Sequence, residues 1–246
     1  MYFELVGTNV RVMGSMHALP ASGSGLPEWA LRAYEWCDEL IFESDPPTIL
    51  SQLRSTTGHP LRRRITPHAW AVLEGLWPVS GPIPPLESVQ IWAALIFGSM
   101  LACRTTEGVE PIFLKWAANH SKGVHFLESA EELADALDSA PIEEVVKSIE
   151  LLASDLSAPQ RSIEAMYRAW LKQDLSALYE IAERSPAFQF PGVRRAALQR
   201  RNQAWAPILT NRMSTSKRTL IAVGALHLYG PENLFTWIEP HAKPIK

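Results

Sequence analysis

The chain has 246 residues, 23 lysines and arginines against 26 aspartates and glutamates, a net charge of −3 and 47% apolar residues. A chain of this length can bury a sizeable core, and its small negative charge excludes a general attraction for nucleic-acid phosphates or anionic membranes. Two cysteines, Cys37 and Cys103, exclude a disulfide framework and stand in no CxxC pattern, so both are expected to be buried small hydrophobes.

In chain order, Tyr2 to Val6 and Asn9 to Met13 read as a β-hairpin turning at Gly7-Thr8, with Val10 and Val12 alternating with polar neighbours and a stop at Gly14-Ser15-Met16-His17. After the Gly/Ser-rich loop 21–25, Pro27 suits a first helical position, and Trp29, Ala30, Ala33, Tyr34 and Cys37 recur at helical spacing, which predicts a helix over 27–38. Leu40-Ile41-Phe42 is a short buried strand ending in Glu43-Ser44-Asp45 and the stop Pro46-Pro47, so strand, turn, helix and strand follow as in a βαβ unit. Helices are expected at 48–54, 66–76 and 86–103, the last two separated by a Pro-rich linker over 78–85. Arg62-Arg63-Arg64 reads as a solvated loop face. Ile91 to Cys103 is apolar for only thirteen residues, against the roughly 17 to 25 a bilayer span needs, and reads as a buried core helix. A helix over 110–119 and a strand over 123–127 follow, then helices over 130–137, 141–154, 159–173, 175–183 and 193–213, a strand over 219–223 and a closing helix over 231–238. Nine tryptophans, Trp70 and Trp77 on one helical face among them, are expected mainly in the core.

One local pattern occurs twice. An apolar strand ends in Gly14-Ser-Met-His17, and another ends in Gly224-Ala-Leu-His227, 210 positions later. If both strands belong to one sheet, the histidines emerge at the same edge, where open α/β sheets place their ligands. Each Gly-x-x-His alone is compatible with a structural role, and Glu43 alone with capping the turn at Pro46-Pro47. Together, two imidazoles and a carboxylate at strand ends suit a divalent transition metal with positions open to water and substrate.

Those residues, with Leu19-Pro20, Phe42-Glu43-Ser44, Gly108-Val109-Glu110, Leu127-Glu128, Arg201-Asn202, Trp205 and the Leu-Tyr-Gly-Pro231 that follows His227, occur in an order that resembles the TraB/PrgY/GumN family, over residues 10–238. That family is related to the TIKI metalloproteases and more remotely to erythromycin-esterase-like and haem-binding ChaN-like proteins. The resemblance implies a peptidase that depends on a divalent ion, with manganese or cobalt favoured and zinc or iron as alternatives. It implies His17, Glu43 and His227 as metal ligands, with Glu43, Arg201 and Asn202 taking part in the chemistry, Glu43 as ligand or as general base. Arg201 could orient Glu43 or bind a developing oxyanion; its bland alternative is a helix-surface arginine beside Arg200. At Glu110 the family often has aspartate, and its members often carry a signal peptide or membrane anchor, neither of which is visible here.

The expectation is therefore a single α/β domain over 1–246, a small central mixed sheet surrounded by many helices with the Gly-x-x-His motifs at strand ends. It would act on a peptide or protein, without a nucleic-acid partner or membrane span. It would be cytoplasmic as the sequence stands, or extracytoplasmic if a leader has been removed. The rivals are a hydrolase of other esters or amides and a non-catalytic peptide- or haem-binding protein. His59, His68, His120, His125 and His241 are read as structural or surface histidines. No HExxH helix, GxSxG elbow or phosphate-binding glycine loop is present.

Overall fold

A computed structural model describes residues 1–55, 61–239 and 241–245. His59 lies outside the described residues. The fold is α/β, built on a mixed six-stranded sheet. Its strands are β1 (Tyr2–Leu5), β2 (Val10–Ser15), β4 (Glu39–Phe42), β6 (Gly123–Phe126), β7 (Thr219–Gly224) and β8 (Ala242–Pro244), in the spatial order β6-β4-β7-β2-β1-β8. β6, β4, β7 and β2 run parallel, while β1 pairs antiparallel with β2 and β8 antiparallel with β1. β7 comes from the far end of the chain and fills the slot between β2 and β4, in register Val10↔Thr219 through Ser15↔Gly224 on one side and Glu39↔Thr219 through Phe42↔Ala222 on the other. Buried on both faces, β7 is apolar almost throughout, as a central parallel strand must be.

Two small pairing elements escape a reading by periodicity. β3 (Ala18–Pro20) pairs with β5 (Thr105–Glu107), and β8 closes the sheet beside β1. Three residues are too few to display a period of two, and each partner lies far away in sequence.

One face of the sheet is covered by α1 (Glu28–Trp36), α5 (Val109–Asn119), α8 (Ala158–Leu171) and α9 (Leu175–Glu183), whose buried faces include Trp29, Phe113, Trp170 and Leu178. On the other face Trp205 and Leu209 of α11 (Arg200–Arg212) pack on Val12, Ile41, Ile221 and Val223. A separate helical core joins α3 (Pro67–Leu76), α4 (Ile91–Leu101), α6 (Ala130–Asp138) and α7 (Ile142–Ser154) around Trp70, Trp77, Trp92 and Leu152. Its helices carry local start signals: Thr66 accepts from the Ala69 amide, and Ser129 and Glu132 form a reciprocal capping box.

Several expected elements differ. The helix expected over 48–54 is a short α2 (Pro46–Ile49) followed by a 3-10 turn at Leu50–Gln52, because the chain then bridges Arg54 to Val89 and Leu53 O to the Gln90 amide. The same bridge splits the expected 86–103 helix into a turn at Leu86–Ser88 and α4. The long 193–213 helix becomes α10 (Pro191–Arg194), a π-helical turn at Arg195–Gln199 and α11. The closing helix is absent except for one 3-10 turn at Leu234–Thr236, since Gly230 and Glu232 take φ of 85° and 51° and Asn233 caps only that turn. Cys37 is buried as expected, whereas Cys103 is only half-buried, at the end of α4. The Arg62-Arg63-Arg64 run is exposed, its first two residues ending the 3-10 turn Leu61–Arg63, with Arg62 over the Trp70 ring. Among the described residues no helix is long and apolar enough to cross a membrane.

Candidate functional site at the strand ends

Each of the four parallel strands delivers one polar side chain just past its carboxyl end: His17 after β2, His227 after β7, Glu43 after β4 and Glu128 after β6. The parallel register makes this convergence a consequence of topology, since the four strands start at one level and end within two residues of one another. The two Gly-x-x-His turns are fitted to each other. A Cβ on Gly14 would stand 3.0 Å from Cα and Cβ of Ala225, and a Cβ on Gly224 would stand 2.9 Å from His17 Nε2 and 3.1 Å from Glu43 Oε1. The glycines are needed here for close approach rather than for unusual dihedrals.

Glu43 stands at the centre. Its Oε1 accepts from the Gly224 amide at 2.5 Å and lies 3.6 Å from both His17 Nε2 and His227 Nε2, while its Oε2 accepts from Arg201 Nη2 at 2.5 Å. The turn at Pro46-Pro47 does not use it. Burial opposes its ionisation, but Arg201, then His17 and His227, hold the carboxyl well below the usual carboxylate range.

Arg201 is buried, not a surface residue beside the exposed Arg200. It lies at the start of α11, directly after the π-helical turn, and donates Nη1 to Ala197 O at 3.1 Å within that turn. Its Nε gives 3.0 Å to Glu128 Oε1, and Nη2 also bonds Glu128. One guanidinium therefore joins two buried carboxylates. Desolvation works against its charge, but Glu43 and Glu128 outweigh this and raise it above the ordinary arginine value. Glu128 is raised, because its burial outweighs Arg201, and it also accepts Trp205 Nε1–H at 3.0 Å.

The histidines occupy different surroundings. His227 is 2% exposed, its ring 4.6 Å from that of Trp205, with Nδ1 at 2.8 Å from Asn202 Oδ1 and Nε2 at 3.3 Å from Arg201 Nη1. Desolvation lowers its pKa to about 3, despite Glu43. His17 keeps 60% of its side chain accessible, with Nδ1 3.1 Å from Glu110 Oε1. Desolvation lowers the His17 value as well, but Glu110 and Glu43 together more than reverse it, to about 9.

His17, Glu43, Arg201, Asn202 and His227, the residues singled out from the sequence, thus fall in one connected cluster. Glu128 and Glu110 join it; the family resemblance points to both segments but assigns neither a role, because their contacts come from strands and helices remote in sequence. Of the remaining described histidines, His120 Nδ1 meets the Tyr34 hydroxyl at 2.8 Å and His125 stands 3.8 Å from Glu39, while His68 and His241 are exposed. Among the described residues no group of three or more His, Cys, Asp or Glu side chains is placed so that it could hold a metal ion.

The comparisons with curated proteins and with solved structures gave no match. The family comparison matched residues 4–239, nearly the whole chain and every residue of the cluster, to the model of the TraB/PrgY/gumN family, and the protein belongs to that family.

Proposed function

We propose that this chain is a hydrolase of amide bonds, acting on a peptide or protein with the help of a divalent transition-metal ion. The observation that carries the reading is the pair of 3.6 Å approaches by which His17 Nε2 and His227 Nε2 face the same oxygen, Glu43 Oε1. Two imidazole nitrogens and a carboxylate oxygen are the donor types such ions take. Closing all three donors round one centre is the rearrangement that binding would have to bring about. Manganese or cobalt is favoured by the family resemblance, with zinc or iron as alternatives.

When bound, the ion would supply Lewis-acid activation of a water and of the scissile carbonyl. The chain's own residues divide the rest. Asn202 Oδ1, accepting from His227 Nδ1–H, leaves that ring's Nε2 unprotonated, an acceptor that Arg201 Nη1 approaches at 3.3 Å. Arg201 fixes Glu43 through Oε2 and leaves Oε1 facing both rings, as a ligand or as the base that takes a proton from water. All of the guanidinium's nitrogens are already engaged by Glu43, Glu128, Ala197 O and His227, which favours the orienting role of Arg201 over oxyanion binding. His17, the accessible ring, stands on the side from which a substrate arrives.

The test is the metal content of protein purified without chelator, together with hydrolysis of a peptide library, for the wild type, His17→Ala and His227→Ala. Both variants are expected to lose the metal and activity; unchanged content and turnover in both would overturn the proposal.

A second reading is an ester or amide hydrolase that works without metal, with His17 handling the proton. It is favoured by Arg201 Nη1, a cation 3.3 Å from His227 Nε2, where a dication would have to compete. Turnover undiminished by a strong chelator would select it.

A further inference from the structure

We propose that Glu110 is the positioning residue of His17: its carboxylate accepts the ring's Nδ1–H, so that whenever the ring is neutral its lone pair lies on Nε2, toward Glu43. The inference rests on the hydrolytic reading of the same cluster and assigns a role to a side chain which that reading leaves unused.

The placement of Glu110 is set by backbone rather than by side-chain chance. The amide of Val109, the first residue of α5, donates to Met16 O at 3.0 Å, one residue before His17. Gly108 lies so close to the same turn that a Cβ would stand 2.2 Å from the His17 carbonyl carbon and 2.4 Å from Met16 O. The start of α5 is thus pressed onto the backbone of the first Gly-x-x-His turn, and Glu110, one residue into the helix, meets the ring with Oε1 3.1 Å from Nδ1.

The hydrogen bonding of Glu110 is one-sided. Oε1 serves both His17 and the Ser15 hydroxyl, while Oε2 is buried without a partner among the described residues, in a side chain whose residue is only 6% exposed. A carboxyl kept for packing alone would be satisfied at both oxygens or replaced by an apolar side chain of like volume. What the position supplies is an oxygen acceptor aimed at one ring nitrogen.

His227 supplies the internal comparison. There Asn202 Oδ1 lies at Nδ1 and Nε2 is again 3.6 Å from Glu43 Oε1, so both rings are held by their Nδ1 side and present the same nitrogen to the same oxygen. Which nitrogen of an imidazole carries the proton follows from the hydrogen bond the other one makes. A neutral histidine in water prefers the proton on Nε2. Without Glu110, His17 would turn an N–H rather than a lone pair toward Glu43.

The decisive measurement is a long-range 1H–15N spectrum of the imidazoles in the metal-free protein at alkaline pH, where the His17 ring is neutral. The wild type is expected to show His17 with Nδ1 protonated and Nε2 bare. Glu110→Met, which keeps the volume and removes the acceptor, should revert to Nε2–H, and Glu110→Gln, which keeps a carbonyl oxygen, should restore the wild-type pattern. Nε2–H in the wild type, or an unchanged pattern in Glu110→Met, would overturn the assignment; if the methionine variant does not fold, the wild-type spectrum decides alone. With Zn2+ as probe, Glu110→Met should bind about 10- to 100-fold more weakly than the wild type, and equal affinity would also overturn it. A wild type that shows the Nδ1–H form but binds no zinc would leave the positioning role standing and sink the metal-dependent reading instead.

Discussion

Gly14-Ser15-Met16-His17 and Gly224-Ala225-Leu226-His227 leave neighbouring parallel strands side by side, and both rings approach one oxygen of Glu43 at 3.6 Å. Their surroundings nevertheless drive them to opposite states. His17 stays largely open to solvent, and the carboxylates of Glu110 and Glu43 overcome desolvation to raise it to about 9. His227 lies under Trp205 beside the Arg201 cation, its Nδ1 held by a neutral amide, and desolvation takes it to about 3. Even the supports differ: Trp170 Nε1 anchors the first turn by donating to Gly14 O at 2.8 Å, whereas Trp205 packs its ring on the second histidine itself. The same short motif delivers a histidine to a place, and the packing around it decides what that histidine is.

The sharpest way to break the comparison is to remove each ring. His227→Ala deletes a buried side chain and leaves Asn202 Oδ1 without its donor, so stability should fall by about 2–4 kcal/mol in urea denaturation. His17→Ala, at an accessible position, should cost under about 1 kcal/mol by the same measurement. Equal losses would mean that the two turns are not different in kind.

Gly224→Ala tests the fit between the turns. Its methyl would stand 2.9 Å from His17 Nε2, forcing the ring or Glu43 to shift, with an expected cost of about 1–3 kcal/mol. The displaced ring should also lose its 3.6 Å approach to Glu43 in a crystal structure of the variant.

Trp205→Phe keeps an aromatic ring on His227 but removes the hydrogen bond to Glu128, for an expected loss of about 1–2 kcal/mol by thermal or chemical unfolding.

The smallest effect is in the pH dependence of the melting temperature of the metal-free protein, where the two rings should act on opposite limbs. His17 keeps its proton in the native state up to about 9, against 6.5 unfolded, so its contribution is complete below 6.5 and is lost as pH rises through 9. His227 resists protonation down to about 3, so its contribution is present above 6.5 and is lost as pH falls toward 3. His17→Gln should flatten the alkaline limb and His227→Asn the acid limb. Solvent screening at the exposed His17 makes the alkaline change the weaker of the two. A wild-type profile identical to that of both variants would refute the opposed states.

Much of this architecture is local and therefore legible. Tyr2 to Leu5 and Val10 to Ser15 announce a hairpin by alternation and a glycine turn, Leu40 to Phe42 ends against prolines, and α3 and α6 start at Thr66 and Ser129. Features set by distant partners were not. The expected long helix near 86–103 yields to a bridge between Arg54 and Val89, and the helix expected after Pro231 yields to left-handed backbone at Gly230 and Glu232.

The sequence by itself determined that His17, Glu43 and His227 stand at the ends of strands, because strand, glycine and stop lie within a few neighbouring residues. Only the tertiary structure decided that β7 enters between β2 and β4, that Arg201 is buried between Glu43 and Glu128 rather than exposed, and that the two histidines carry opposite charge preferences. Those outcomes depend on desolvation and on charges brought within a few ångströms from positions 26 to 210 residues apart, and no local pattern encodes a distance of that kind.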